Sequence, residues 1–385
     1  MLRKYVGILE VLIIMGALAA ACAAPPTPEV VEVKVTKIVI EEVEVVQEIE
    51  VEVTRIVKVI VTQDPAEAPV YATEIAVQEI PLAGPIAERD AEISGMTWYG
   101  ENLILMPQYP NFFVESGDGF VFSIAKEQIN AVLSGESYEP IEPVQIPFTA
   151  PDVQDIIPGF EGFESIVFDS DTVYMTIEAE TDDGMFAYLV AGAITPDLSG
   201  ITMDTIVMLQ IAAQSGVGNM SDEVILLAGG NLLTMYEANG ADVNEAPVAH
   251  TFGMDMSEAG TLPLTNIEYR ITDATELDDN NRFWMINYFF PGDEDLLPET
   301  DPIAEEYGKG PTHMASAGVE RLVEFEYSDD GITITSTLPI QLQLMADGSL
   351  RNWEGLVRLD ESGFLIATDK WPQTILGFVP LPEEE

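Results

Sequence analysis

The sequence predicts an all-β domain, a β-propeller of about five four-stranded blades with room for a sixth, behind a signal peptide and an extended stalk. Three observations predict it. From about Val70 onward, short apolar runs alternate with Gly, Asp, Asn and Pro, and helical periodicity nearly disappears. One hairpin pattern recurs five times. The text between the hairpins supplies enough further apolar runs for outer strands.

The clearest hairpin is Asn352–Pro372, with strands at Gly355–Leu359 and Phe364–Thr368 around the acidic turn Asp360–Gly363. In an antiparallel pair, the start of the first strand meets the end of the second, so Glu354 and Asp369 come side by side. Four further copies follow the same form: Ser94–Gln108, Glu164–Glu178, Asp222–Glu237 and Asp273–Asn287. Each has a polar residue before its first strand and another closing its second, 14 or 15 positions later. Starts lie 51 to 81 residues apart, a spacing that suits four-stranded blades with loops. Phe120–Ile124 with Val144–Phe148, and Leu322–Tyr327 with Ile332–Leu338, read as outer strands. One short helix is expected near Ala125–Ser134, and Asp293–Gly318 reads as a surface insertion. The last blade lacks a strand, which Thr73–Leu82 can supply from the front of the domain, closing the ring and removing exposed edges.

Ahead of the domain, Arg3 and Lys4 precede the apolar run Val11–Ala21, which leads into Cys22, the only cysteine of the chain. Residues 1–22 therefore read as a bacterial lipoprotein signal with Cys22 as the lipidated residue. This places the protein outside the cytoplasm, lipid-anchored at the outer face of the cell membrane. Glu29–Thr62 alternates β-branched residues with acids, and VEVKVTKIV at Val31–Val39 returns as IEVEVTRIV at Ile49–Val57. Alternation argues for strand, whereas Val46, Ile49, Val53, Ile56 and Ile60 fit a heptad and an oligomerising stalk. Both readings stay open, and 23–69 is taken as stalk and linker before the domain at 70–385.

The charge is extreme: 67 Asp and Glu against 15 Lys and Arg, a formal net of −52. Nucleic acids and anionic membranes are recognised chiefly through Lys and Arg, so neither is an expected partner. The expected partner is a protein or a small-molecule ligand. In a propeller the inner strands line a central channel. The repeated polar ends then gather at one mouth: Glu164, Glu178, Asp222, Glu237, Asp273, Asn287, Glu354 and Asp369, with Gln108 beside them. Crowded carboxylates raise one another's pKa unless a cation neutralises them. Hard oxygen ligands of this kind suit calcium. The expected ion is Ca²⁺, held among Glu164, Asp222, Glu237, Glu354 and Asp369. Glu164 and Glu354 are the candidate catalytic bases, and Glu178, Asp273, Asn287 and Lys370 the candidate ligand-binding groups. Lys370 either anchors an anion or pairs with a neighbouring acid. With only His250 and His313 present, and His313 expected at the surface, there is little scope for histidine-based sites. There is no nucleophile elbow, P-loop, zinc or dinucleotide motif.

Gly162–Glu180, Ile271–Asn287 and Asn352–Lys370 resemble the phytase-like, esterase-like β-propeller family across roughly Ile80–Pro382. The resemblance implies an exported propeller with acids at Glu164, Glu178, Asp273, Glu354 and Asp369, and a calcium-supported hydrolase of esters or lactones. Departures stand at Ser94, Ser165 and Asn287. Phytase activity requires several basic residues at the site, and only nine lysines and arginines follow residue 62. The competing expectation is a non-catalytic cell-surface propeller that binds a partner or small ligand.

Overall fold

The computed structural model describes residues 72–382; the signal, Cys22 and the stalk lie outside these residues. The chain enters through two short strands, β1 (Glu74–Ile75) and β2 (Gln78–Ile80), and then builds a series of antiparallel meanders. The first holds β3 (Ile93–Tyr99), β4 (Asn102–Pro107), β5 (Phe120–Ala125) and β6 (Val144–Thr149), and the second β7 (Phe160–Asp169), β8 (Thr172–Thr181), β9 (Gly184–Ile194) and β10 (Ile201–Ala212). The third holds β11 (Asp222–Ala228), β12 (Asn231–Tyr236), β13 (Val248–Gly253) and β14 (Glu258–Pro263). In the fourth, β15 (Arg270–Ala274), β16 (Arg282–Phe289) and β17 (Val319–Ser328) are followed by β18 (Gly331–Ile334) and β19 (Ile340–Leu342), which both pair with β17. The fifth has only β20 (Trp353–Leu359), β21 (Gly363–Thr368) and β22 (Leu376–Pro380).

The fifth meander gains its fourth strand from the front of the domain. β2 pairs antiparallel with β22, Gln78 opposite Phe378 and Ile80 opposite Leu376. The neighbouring β1 runs parallel to β19, which stitches the same entry segment to the fourth blade. The expected closing strand is therefore Gln78–Ile80. The first strands of the five meanders touch in cyclic order, β3 to β7 to β11 to β15 to β20 and back to β3. The domain is a β-propeller whose five inner strands close a ring among the described residues, with β6 and β10 paired in parallel between the first two meanders.

Packing explains the long apolar runs. A blade is covered on both faces, so its middle strands are buried on both sides: Leu103, Ile104, Leu105 and Met106 are all inaccessible. Odd and even positions serve different neighbours. Leu103 and Leu105 pack with Val357 and Leu365 of the fifth blade, whereas Ile104 and Met106 pack with Phe163 and Met175 of the second. Equivalent apolar layers fill the remaining gaps, for example Leu189 against Ile225, Met235 against Phe283, and Trp284 against Phe364.

The inner hairpins turn through left-handed residues, as their Gly, Asn and Asp content predicts. Gly229 and Gly230 both have positive φ (59° and 79°), and Ser170, Asn281 and Asp360 take the same region in other blades. The expected helix is α1, Lys126–Leu133. The Asp293–Gly318 segment differs from expectation. Leu296, Ile303 and His313 are buried in it, and Asp301 makes a two-point ion pair with Arg321. His313 is not a surface residue because Glu74, in β1, accepts its Nδ1–H at 2.9 Å while its Nε2 accepts the Glu320 N–H.

Candidate functional site at the channel mouth

Each inner strand carries an irregularity near its start, and β7 carries two. In the first, third and fifth blades a single residue lies outside the regular pairing, Ser94, Glu223 and Glu354, and in the second two do, Glu161 and Glu164. In the fourth, Thr272 and Asp273 lie between the paired residues Ile271 and Ala274. A bulge re-aims the side chain it carries. Hydrogen bonds show which member of the last pair is equivalent to the others. Ser94 Oγ donates to Phe163 O, just before Glu164, and Thr272 Oγ1 donates to Trp353 O, just before Glu354. The ring position therefore reads Ser94, Glu164, Glu223, Thr272, Glu354: three acids and two hydroxyls that link neighbouring blades.

This corrects two expected site residues by one position. Asp222 does not face the chamber; its Oδ2 accepts Thr234 Oγ1 at 2.5 Å and lies 2.9 Å from His250 Nδ1, and Glu223 lines the chamber instead. Asp273 is spent on backbone, its two oxygens accepting Ala274 N at 2.8 Å and Leu356 N at 2.7 Å. It thereby ties the fourth blade to the fifth. Asn287 is also structural: its amide donates to Glu268 O and Arg270 O, and its oxygen accepts Arg321 Nε at 2.7 Å.

At the strand-start mouth lies a chamber of about 780 Å³ lined by Glu164, Glu178, Glu223, Glu354, Asp369 and Arg270, with further polar groups at Gln108, Asn219, Asn352 and Lys370. Glu92, Glu161, Asp90, Tyr109, Asn111 and the exposed Phe112 also line it. Expected residues Glu164, Glu178, Glu354, Asp369 and Lys370 are thus brought together. Glu237 sits behind the wall, inaccessible, with Arg270 Nη1 2.9 Å from its Oε1. Glu223, Arg270, Glu92, Tyr109, Asn352 and Asn219 were not expected. Asn352 directly precedes the Trp-Glu-Gly of the best hairpin, and this nearness was the available signal for it.

Local geometry positions these groups. Asn352 Nδ2 lies 2.6 Å from Glu354 Oε1 and 3.3 Å from Asp369 Oδ2, holding both carboxyls of the hairpin pair. Gln108 Nε2 donates to Glu164 Oε1 at 2.9 Å. Gln108 is itself pinned, because Phe163 N donates to its carbonyl at 2.9 Å and its own N donates to Glu92 O at 2.7 Å. Gly162, at φ 133°, allows this approach: a Cβ there would stand 2.3 Å from Gln108 Cγ. Gly355, after Glu354, likewise admits Met96, whose Cγ would be 2.7 Å from a Cβ. Lys370 pairs with Glu92, the pairing alternative, while still lining the chamber.

Electrostatics divide the acids. Burial, then the charge of Glu178, pushes Glu164 well above the usual carboxylate range. Burial, then Glu237 and Glu354, does the same for Glu223, and burial, then Asp369, for Glu354. Burial and Glu237 bring Glu178 up to about 7. Asp369 rises less, to about 6: burial raises it, while the Lys370 backbone N–H and the Asn352 amide hold it down. Burial opposes the charge of Arg270, but Glu237, Glu223, Asp293 and Glu354 outweigh it and raise its pKa. One oxygen each of Glu178 and Asp369 is buried without a hydrogen-bond partner among the described residues.

The five residues expected to hold calcium are divided by the fold. Glu164, Glu354 and Asp369 face the chamber, while Glu237 lies behind its wall and Asp222 faces His250. Among the described residues, no group of three or more His, Cys, Asp or Glu stands close enough to share one ion.

No family model matches the chain, and no curated protein sequence matches it. Solved structures similar to it include a bifunctional GH43-CE protein from Bacteroides eggerthii, with a TM-score of 0.44 and 11% identity over 80% of this chain. This chain spans only 35% of that protein. An exo-β-1,3-galactanase from Phanerochaete chrysosporium with bound β-1,3-galactotriose gives a TM-score of 0.44 at 7% identity over 80% of this chain and 64% of its own. A GH43 enzyme from Xanthomonas citri complexed with xylose gives 0.44 at 10% identity, covering 79% of this chain and 91% of that one.

Proposed function

We propose that the propeller is a hydrolase that cleaves glycosidic bonds by proton transfer at the channel mouth, carried by an exported lipoprotein anchored through Cys22. One observation carries the catalytic reading: adjacent carboxyls of one hairpin, Glu354 and Asp369, have environments that separate their protonation. Paired titratable groups pushed apart in this way define an acid and a base. Glycoside hydrolysis needs that pair, one carboxylic acid to protonate the leaving oxygen and one carboxylate to activate water or attack.

In this reading Glu354, whose burial favours the protonated form, delivers a proton to the glycosidic oxygen. Asp369, ionised above about 6, serves as base or nucleophile. Asn352 orients both. Glu164, fixed by Gln108, and the amides of Asn219 and Asn352 suit a substrate rich in hydroxyls. Phe112 offers the apolar face of a sugar ring a surface at the rim.

Ester or lactone hydrolysis, implied by the phytase-like and esterase-like resemblance, is the second reading and uses the same acids. A calcium ion there would have to draw together Glu164, Glu354 and Asp369, the chamber-facing members of the expected set, which do not stand close enough to share one ion, and would neutralise the crowded carboxyls.

The test is turnover by the purified full chain on aryl glycosides and oligosaccharides, with aryl esters and lactones alongside. Glycoside cleavage that falls about 10²–10⁴-fold in both Glu354→Gln and Asp369→Asn supports the reading. Turnover of esters alone would replace it with the second reading. Sugar binding without turnover would make the domain a binding propeller. Incorporation of labelled fatty acid, lost in Cys22→Ser, tests the anchor.

A further inference from the structure

We propose that the opposite mouth of the channel is a second binding site, for a small monocarboxylate with an apolar body. The same five inner strands that open on the acidic chamber enclose, toward their C-terminal ends, a separate cavity of about 310 Å³. Its residues follow those of the chamber by a few positions on each strand, for example Val357 and Arg358 after Glu354, and Ile166 after Glu164. At about 3.3 Å per residue the two sites stand roughly 10 Å apart along the channel. Their chemistry is opposite. Met96, Ile166, Leu226 and Val357 give this cavity an apolar wall, and Arg358 is its only cation among the described residues.

Arg358, Arg89 and Lys309 are the cations of the described residues that meet no carboxylate, and of the three only Arg358 lines this cavity. Arg270, Arg282, Arg321, Arg351, Lys126 and Lys370 each meet at least one carboxylate. Arg358 makes no ion pair among the described residues, although acids outnumber bases more than fourfold, 67 to 15. Its Nε is buried and has no hydrogen-bond partner. The guanidinium makes no hydrogen bond among the described residues although Arg358 lines the cavity, and buried or lining donors are nearly always satisfied, which points to a ligand acceptor. The side chain is also held in place: its guanidinium carbon lies 5.8 Å from the Phe364 ring centre, and Trp98 Nε1 donates to its backbone oxygen at 2.8 Å. The other cation near this mouth, Lys126, is engaged by Asp360 at 2.9 Å and so does not compete.

A carboxylate matches the two-point geometry of a guanidinium, and the apolar wall takes its hydrocarbon body. Glu276, the one acid lining the cavity, disfavours a second negative charge, which selects a monoanion over a dicarboxylate or phosphate. The near chamber, walled by carboxyls, would repel the same ligand.

The probe is 4-phenylbutyrate, titrated calorimetrically into the full chain. One saturable site is expected, with at least about tenfold weaker binding of 4-phenylbutyramide, which keeps the shape and loses the charge. Arg358→Gln is expected to weaken phenylbutyrate by at least the same factor while leaving the amide unchanged. The amide comparison on the wild-type chain keeps the test decisive even where the variant folds poorly. No binding into the millimolar range, equal affinity for acid and amide, or an unchanged Arg358→Gln titration would each overturn the proposal.

Discussion

Arg270 and Glu237 form a buried ion pair behind the acidic chamber, Nη1 to Oε1 at 2.9 Å, with the glutamate wholly inaccessible. The guanidinium also reaches Asp293 through Nε at 3.1 Å and lines the chamber near Glu223. Among the described residues it is the one arginine lining the wall of carboxyls, and their close approach depends on it. Arg270→Gln is therefore expected to destabilise the domain by about 3–5 kcal/mol, the cost of stranding a buried charge. Urea unfolding measures this. A loss below about 1 kcal/mol would show that the acids are held apart by protonation alone.

The acids set the pH dependence of stability. Glu178 and Asp369 have folded-state pKa values of about 7 and about 6, above their ordinary values of 4.5 and 3.8. A carboxyl whose pKa is raised by folding favours the fold in its protonated form. Its contribution is complete below the ordinary pKa and is lost as pH rises through the folded value. Stability should thus fall between about pH 4 and pH 7, on the order of a few kcal/mol from such shifts. Glu178→Gln should flatten that slope. Glu74, whose pKa is lowered by its bonds to His313 and Thr312 despite burial, works in the opposite sense at lower pH. Midpoints of thermal unfolding from pH 4 to 8 decide it: a midpoint that rises across this range in both proteins contradicts the account.

Much of this architecture was legible in the sequence, because turn chemistry and the alternation of apolar runs are local. The five inner hairpins, the closing strand from the front and the pairing of Glu354 with Asp369 follow from antiparallel geometry alone. The site was legible only to within one residue. In SDE at Ser221–Glu223 and TDA at Thr272–Ala274, neighbouring polar residues compete for one inward position. A bulge reverses the strand alternation that would otherwise decide between them. Glu223 takes the inward position and Thr272 the bond to the next blade, while Asp222 and Asp273 are left to satisfy His250 and backbone N–H groups. His313 was misplaced for a different reason. Its partner Glu74 lies 239 positions away, and no local pattern reports such a contact.

Gly162 tests how the chamber wall is held. At φ 133°, and with a Cβ falling 2.3 Å from Gln108 Cγ and 3.0 Å from its carbonyl oxygen, the position accepts only glycine without displacement. Gly162→Ala should push Gln108 away from Glu164 and cost about 1–3 kcal/mol. The same displacement removes the bond that lowers the Glu164 pKa, so the high-pH loss of stability should steepen. An alanine variant of unchanged stability and pH slope would show that Gln108 does not fix Glu164.

Calcium binding is a prediction about the chamber-facing acids. The proposed ligands Glu164, Glu354 and Asp369 are crowded, and two of them keep their protons well above the ordinary range, so binding must displace protons. A site with this competition and without three preassembled ligands should be weak, in the range of about 10⁻⁴–10⁻³ M, and stronger at pH 8 than at pH 6. Thermal unfolding of the full chain with calcium from micromolar to millimolar measures it, because a ligand of the folded state raises the midpoint only above its Kd. Glu354→Gln should abolish the rise. Magnesium, which holds its water tightly and demands octahedral geometry, should produce little of it. A midpoint indifferent to calcium at pH 8 would leave protonation, with Arg270, as the sole means by which this ring of acids tolerates its own charge.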